Sequence, residues 1–199
     1  MIPRNLVISA VLMTAIAIGM GLYTWHIRGR ITGGDTAVAE AHPLAPPVTG
    51  TTDQVTLYVA YDDPGVLRTQ AARIPLPSGR QQRAEELLRA LLQIYSAKPS
   101  PHPLAPGAEV RDVYLVDPGI AIIDTNDAFA DGHRSGILVE ELTVASMVQT
   151  LLANSQGITQ VKFLVEGRTR DTLAGHVSLS GFFDSPGVAT MTSSLQSAQ

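Results

Sequence analysis

An uncharged segment near the amino terminus most constrains how this chain can fold. The segment from Leu6 to Trp25 contains no Asp, Glu, Lys or Arg, and a helix of that length crosses a hydrocarbon core of roughly 30 Å. A cleaved signal has a shorter apolar core, about 7 to 15 residues long, followed by small residues. Here the segment continues into Tyr23, Trp25 and Arg28, which suit a membrane interface. We therefore predict an uncleaved, single-pass transmembrane anchor over residues 6–27.

The anchor divides the remaining chain into a short tail, a linker and one folded domain. Residues 1–5 precede it, and residues 28–52 carry prolines and glycines without apolar periodicity, which is typical of a flexible linker. Periodic apolar patterns then run through residues 53–184. Residues 185–199 are rich in Ser, Thr and Gln, and we predict a disordered tail there. Basic residues balance across the anchor, so charge does not determine its orientation.

Apolar periodicity in the domain predicts short strands and two amphipathic helices. Period-two alternation and turn residues predict strands over residues 55–61, 68–76, 110–116, 120–124 and 159–165, with a last strand within 175–183. Three- and four-residue spacing predicts helices over 81–95 and 138–152. Each helix needs a sheet to cover its apolar face. We predict an α+β fold, a two-layer sandwich of one mixed β-sheet with two helices on one face.

Composition excludes several classes of function. Lys and Arg total 14 against 18 Asp and Glu, a formal charge of -4, so the chain lacks the basic field that nucleic-acid binding requires. It contains no cysteine. Disulfides, thiolate metal sites, a cysteine nucleophile and a lipidated amino-terminal cysteine are therefore excluded.

Three aspartates lie close together in the otherwise apolar run VYLVDPGIAIIDTND. A calcium loop starting at Asp124 would need an oxygen ligand at its fifth position, where Ala128 stands instead. We interpret Asp117 as a turn residue between two strands, and Asp124 or Asp127 as a loop cap, because aspartate bonds locally to the backbone at such positions. An acid-dependent hydrolase using Asp117, Asp124 or Asp131 remains the enzymatic alternative.

The other reactive side chains form no recognised catalytic pattern. The five histidines have no metal-ligand spacing, and His102 and His133 are expected to be solvated loop residues. Neither G-x-S-x-G nor S-x-x-K occurs, and there is no phosphate-binding or dinucleotide fingerprint. Glu140 and Glu141 begin a helix, where negative charge suits the helix dipole. We predict no catalytic residue, no cofactor and no metal.

Several landmarks in the domain resemble the GerMN domain of bacterial spore-germination and sporulation proteins. They are the Pro103–Gly107 sequence PLAPG, the hairpin that follows it, and VKFLVEG over Val161–Gly167. The resemblance covers about Asp53 to Phe183, with Thr125-Asn126 replacing the family's usual residues after the hairpin aspartate. It implies an α/β domain similar to the ring-building modules of envelope machines, an extracytoplasmic location and no established catalytic residue.

These observations predict a membrane-anchored, non-catalytic bacterial envelope protein, with its domain outside the cytoplasm. The domain would mediate assembly with itself or with another envelope protein. The alternative is a module that binds a cell-wall glycan such as peptidoglycan, or a small ligand, on an aromatic platform. Gln160 and Lys162 lie opposite Val161 and Phe163 on their strand, so part of the sheet should face water. Together with Tyr58, they form the predicted interaction surface.

Overall fold

The structure, a computed structural model, describes residues 52–197. The predicted anchor and nearly all of the predicted linker lie outside the described residues. The elements in chain order are β1 (Thr52–Tyr61), β2 (Val66–Pro75), α1 (Arg80–Ser96), β3 (Val110–Val116), β4 (Ile120–Thr125), α2 (Asp127–Asp131), α3 (Ile137–Asn154), β5 (Gln160–Val165), β6 (Phe183–Asp184) and α4 (Ser185–Ser197). The two long helices and the hairpin of β3 and β4 confirm the sequence pattern.

The strands form two sheets rather than the single predicted sheet. β1 and β2 pair as an antiparallel hairpin, and β3, β4, β5 and β6 form a four-stranded sheet in that order. β4 and β5 are parallel, whereas the other neighbouring pairs are antiparallel. The α+β class and the mixed sheet are therefore confirmed, but the first two strands do not belong to that sheet.

Helix side chains cover the edge of β1 that a third strand would otherwise occupy. The backbone N–H of Thr56 donates to Asn154 Oδ1 at 3.0 Å, and that of Tyr58 donates to Thr150 Oγ1 at 3.0 Å. Further along, the N–H of Ala60 donates to the Tyr95 hydroxyl at 2.8 Å. An unpaired strand edge is open to further pairing. The helix side chains accept hydrogen bonds from the N–H groups on this edge of β1. This explains why the hairpin forms a separate sheet.

The core lies between the helices and the inner faces of the strands. α1 packs mainly against β3, and α3 packs mainly against β1 and α4, with a smaller contact to α1. Val113, Ile123 and Phe163 stand in register across the four-stranded sheet and are at most 1% exposed. Full burial of each such side chain contributes roughly 1.5–3 kcal/mol.

Within the described part of the chain, α3 is the one helix long and apolar enough to cross a membrane by length and composition. In the domain, 56% of that helix is buried. Its apolar side chains contact the rest of the core, so α3 acts here as the central core helix.

The predicted disordered tail begins with a helix, α4. Asp184 caps it, because its Oδ1 accepts a hydrogen bond from the Gly187 N–H at 2.8 Å. Val188 is fully buried, and Met191 packs against the core one turn later. The Ser- and Thr-rich composition concealed this short apolar stripe, and the expectation of disorder is wrong over the residues that α4 covers.

Candidate functional site

The clustered aspartates take part in separate structural contacts. Asp117 lies exposed in the turn between β3 and β4. Asp124 is buried, and its Oδ1 accepts a hydrogen bond from the Gly167 N–H at 2.7 Å. Asp131 forms an ion pair with Arg170 at 2.5 Å. Among the described residues, no group of three or more His, Cys, Asp or Glu could hold a metal ion.

The loop after β4 is capped by a neighbour of these aspartates. The Asn126 side chain accepts a hydrogen bond from the Phe129 N–H at 3.0 Å and so begins α2. Asp127 occupies the first helical position, where its charge suits the helix dipole. Local hydrogen bonding therefore accounts for the polar residues of this loop. The residue that caps α2 is Asn126, in place of the expected Asp124 or Asp127.

A buried polar network, consisting of Asp62, His102, Thr143 and His133, joins three loops to α3. Nε2 of His102 lies 2.6 Å and Nε2 of His133 lies 2.7 Å from Thr143 Oγ1. His102 Nδ1 lies 2.6 Å from Asp62 Oδ1, and His133 Nδ1 lies 2.7 Å from the Arg134 carbonyl oxygen. His102 and Thr143 are fully buried, and His133 is 8% exposed. The expectation that both histidines are solvated is therefore wrong.

Hydrogen counting restricts the protonation of this network. Each Nδ1 faces an atom that can only accept, the Asp62 carboxylate or the Arg134 carbonyl, so each Nδ1 carries a hydrogen. Both Nε2 atoms face the Thr143 hydroxyl, which has one hydrogen and also lies 2.9 Å from the Val139 carbonyl oxygen, to which it can donate. At least one Nε2 must therefore carry its own hydrogen. The Asp62 carboxylate accepts the Nδ1 hydrogen of His102 and so fixes the orientation of that ring.

Burial and hydrogen bonding shift the pKa values of two members of the network, His133 and Asp62. Burial lowers the pKa of His133 below its ordinary value, which favours the neutral ring there. For Asp62, burial raises the pKa, but hydrogen bonds from His102 and Arg134 outweigh it and leave the pKa lowered. Asp62 also pairs with Arg134 at 2.5 Å. The carboxylate thus contacts both the His102 ring and the Arg134 guanidinium.

The order Asp62, His102, Thr143 has the geometry of a charge-relay triad but lacks access to substrate. Thr143 is fully buried, and its hydroxyl is enclosed by two imidazole rings. A nucleophile must reach the reacting carbon atom. The arrangement therefore acts as a structural tie between β1, the proline-rich loop and α3.

Glu140 anchors the long loop before β6. Its Oε2 accepts hydrogen bonds from the backbone N–H groups of Ala174, His176 and Val177 at 2.9–3.1 Å. Its Oε1 lies 2.9 Å from His176 Nδ1. Burial raises the pKa of Glu140, but these hydrogen bonds outweigh it and lower the pKa to about 2.

The neighbouring carboxylate, Glu141, is in a different state. Its Oε2 has no hydrogen-bond partner among the described residues, and burial raises its pKa.

The four-stranded sheet presents one apolar face to solvent. Tyr114 stands beside Ile122 in the pairing, and Val116 stands beside Ile120. Tyr114 and Val116 are 43% and 44% exposed, and Phe182, beside this face, is 56% exposed. We call these five residues the open sheet face. Exposed apolar side chains grouped in this way are typical of interaction surfaces.

A groove of about 590 Å³ lies where α3, β5 and the start of α4 meet. It is lined by Tyr58, Gln149, Leu152, Ala153, Ile158, Thr159, Gln160, Asp184, Ser185 and Pro186. The hydroxyl of Tyr58 and the amides of Gln149 and Gln160 make no hydrogen bond to any residue that the structure describes. The groove therefore offers polar groups to a ligand.

The structure separates the three residues of the predicted interaction surface. Tyr58 is half-buried and lines the groove together with the exposed Gln160. Lys162 is only 9% exposed, and its Nζ donates to the carbonyl oxygens of Leu179 and Ser180 at 2.7 and 2.5 Å. The expectation that Lys162 faces water is wrong, because the loop before β6 folds over that end of the sheet.

Sequence reasoning missed the buried network, although α3 carries a signal for it. Thr143, Ser146 and Thr150 follow three- and four-residue spacing within the buried stretch of that helix, and all three are fully buried. Polar residues inside an apolar stripe require hydrogen-bond partners. The spacing does not identify those partners: loop histidines meet Thr143, the Thr143 carbonyl accepts from Ser146, and β1 donates to Thr150.

Comparisons with known proteins identify relatives of this domain. The Germane family, described as sporulation and spore germination, matches residues 56–171. Among curated protein sequences, none matches this chain. A candidate lipoprotein from Clostridium perfringens superposes with a TM-score of 0.48 at 20% identity, over 75% of this chain and 97% of that chain.

Two structures of the sporulation protein GerM from Bacillus subtilis are also similar. Its tandem GerMN domains give a TM-score of 0.50 at 20% identity, covering 67% of this chain and 46% of that chain. Its first GerMN domain gives 0.47 at 19% identity, covering 68% and 99%. This chain thus spans about half of the tandem structure, whose fold it shares. The family match covers more than half of the sequence, and this chain belongs to the Germane family of sporulation and spore germination domains.

Proposed function

We propose that this is a membrane-anchored, non-enzymatic envelope protein whose domain binds a partner protein through the open sheet face. The observation that carries the proposal is the exposure of Tyr114, Val116 and Phe182 on one side of the four-stranded sheet. A monomeric domain rarely leaves such a group of apolar side chains in water without a partner.

The edge of the sheet supports the same surface. β3 is the terminal strand in the order β3, β4, β5, β6, and Tyr114 and Val116 project from it. A partner strand could pair with this edge while its side chains extend the apolar face, which is a common mode of protein recognition. Asp112 lies next to Tyr114, and its negative charge raises the pKa of the tyrosine. A partner with basic residues around an apolar patch would suit this surface.

The non-enzymatic part of the proposal rests on what the polar groups do. The hydroxyl that most resembles a nucleophile, Thr143, is enclosed, and the buried carboxylate Glu140 is occupied by backbone N–H groups. Both stabilise loops in this arrangement. The uncharged segment supports membrane anchoring, and the relationship to sporulation proteins supports a location outside the cytoplasm.

In-cell photo-crosslinking tests the partner surface. The crosslinking amino acid p-benzoylphenylalanine would replace Tyr114 in the full chain, with Thr69 on the exposed face of β2 as the matched control position. We expect a discrete protein adduct from position 114 that position 69 does not give. Adducts with a second copy would indicate self-association, and adducts with another envelope protein would indicate an adaptor. Equal labelling from both positions would contradict the proposal.

A reporter fusion tests the location. Alkaline phosphatase fused after Gln199 folds only outside the cytoplasm, so we expect active enzyme in cells. Deletion of residues 6–27 should abolish that activity. Activity of a cytoplasmic reporter at the same fusion site would contradict an extracytoplasmic domain.

A further inference from the structure

The groove at Gln160 is distinguished by polar side-chain groups that make no hydrogen bond within the described residues. The amides of Gln149 and Gln160 and the hydroxyl of Tyr58 have no partner within the described residues. Asp184 uses Oδ1 to cap α4, which leaves Oδ2 free to accept. Beside them stand the apolar side chains of Leu152 and Ile158. The volume of about 590 Å³ falls within the range of small-molecule sites, roughly 300–1,000 Å³.

The charge of the lining excludes most anionic ligands. Asp184 is acidic, and the lining contains no Lys, Arg or His. A phosphate or a carboxylate ligand would find no cation and would be repelled by Asp184. The groove therefore favours a ligand without negative charge.

The backbone of the groove excludes recognition by strand addition. The groove-side N–H groups of Thr56 and Tyr58 already donate to Asn154 and Thr150. An extended peptide that binds a strand edge needs such N–H groups for its main-chain hydrogen bonds. Recognition here must use side chains, which is how proteins bind the hydroxyl and amide groups of sugars.

We propose that the groove binds a short, uncharged glycan carrying acetamido groups, such as an N-acetylhexosamine oligosaccharide. The ring of Tyr58 offers an aromatic face for a sugar ring, and Leu152 and Ile158 accept the acetamido methyl group. The amides of Gln149 and Gln160 both donate and accept, which matches the acetamido N–H and C=O. This site is separate from the open sheet face, so either proposal can fail alone.

Calorimetric titration of the full chain in a sugar-free zwitterionic detergent tests the site. The probe is chitotetraose, and cellotetraose is the comparison because it lacks the acetamido groups. We expect chitotetraose to bind with a Kd of about 0.1–1 mM, and cellotetraose at least about tenfold more weakly. Gln160→Ala should weaken chitotetraose binding roughly five- to tenfold, because the hydrogen bonds of its amide to the acetamido group are lost.

Matched variants make the result decisive. Gln93→Ala changes an exposed glutamine on α1 that is not among the groove-lining residues, and should leave the affinity unchanged. Both variants should unfold at the same denaturant midpoint as the parent chain. Absence of binding at about 10 mM chitotetraose, or unchanged affinity in Gln160→Ala, would overturn the proposal.

Discussion

The buried network at Thr143 and the groove at Gln160 use similar polar side chains in opposite ways. In the network, hydroxyl, imidazole and carboxylate groups are enclosed and bonded to one another. In the groove, hydroxyl and amide groups face solvent without a partner among the described residues. Residue type does not distinguish the two regions. The state of hydrogen bonding does: it explains why the first region should affect stability, and it is the basis for the proposed ligand binding at the second.

This contrast has an energetic consequence. A buried donor or acceptor that loses its partner costs about 1–3 kcal/mol. A substitution on an exposed surface usually changes stability by less than about 0.5 kcal/mol. Changes in the network should therefore appear in unfolding experiments, whereas changes in the groove should appear in binding experiments.

Thr143→Val is expected to have the largest effect on stability. Valine keeps the shape but removes the oxygen that both Nε2 atoms contact, so the free energy of unfolding should fall by about 4 kcal/mol. Urea denaturation of the full chain measures it. Thr69→Val, at an exposed position on β2, is the control and should change stability by less than about 0.5 kcal/mol. Equal effects of the two variants would refute the contrast.

Glu140→Gln should lower the free energy of unfolding somewhat less than Thr143→Val does. It should also change how the stability depends on pH in acid. The pKa of Glu140 is about 2, compared with its ordinary 4.5, so its charged form contributes about 3 kcal/mol above pH 4.5. That contribution is lost as the pH falls through about 2. The difference in unfolding free energy between parent and variant should therefore shrink on acidification below about pH 4.5. A difference that is constant with pH would contradict this role.

His133→Asn tests the pH dependence of the network itself. Because the pKa of His133 is lowered below 6.5, the unfolded chain takes up a proton before the folded domain does. Stability should decrease as the pH falls below about 6.5, by less than about 1.4 kcal/mol per pH unit. The asparagine variant should lose this slope, which denaturation between about pH 7 and pH 5 would detect. Besides burial, the neighbouring titratable and charged groups that act on the pKa of His133 are His102, Arg134 and Glu140.

Gln149→Ala should have the smallest effect on stability. The Gln149 amide makes no hydrogen bond within the described residues, and alanine favours the helix slightly. We expect the free energy of unfolding to change by less than about 0.5 kcal/mol. Chitotetraose should bind to this variant more weakly. A strongly destabilised variant would show that the groove is part of the structural framework, and the comparison would then fail.

The main elements of the fold could be read from periodicity. α1 and α3 carry apolar residues at three- and four-residue spacing, and β3, β4 and β5 are short β-rich runs bounded by turns. The separation of the first hairpin from the main sheet could not be read in this way. It depends on hydrogen bonds from Asn154 and Thr150 to β1 across more than ninety residues, and local patterns carry no information on such pairings.

The residues of the candidate sites were likewise predicted only in part from the sequence. Tyr58 and Gln160 were expected at a surface, and both line the groove. Lys162 was expected beside them but is covered by the loop before β6. Strand alternation predicts on which face a side chain stands, but it does not predict whether another segment covers that face.

The sequence by itself determined the uncharged segment, the absence of thiol chemistry, the helices and the hairpin, because these depend on composition and on neighbours within a few turns. The tertiary structure alone decided that His102 and His133 meet at Thr143, and that Glu140 is occupied by a distant loop. Those contacts join residues far apart in the chain. Their strength depends on burial, which only the packed domain provides.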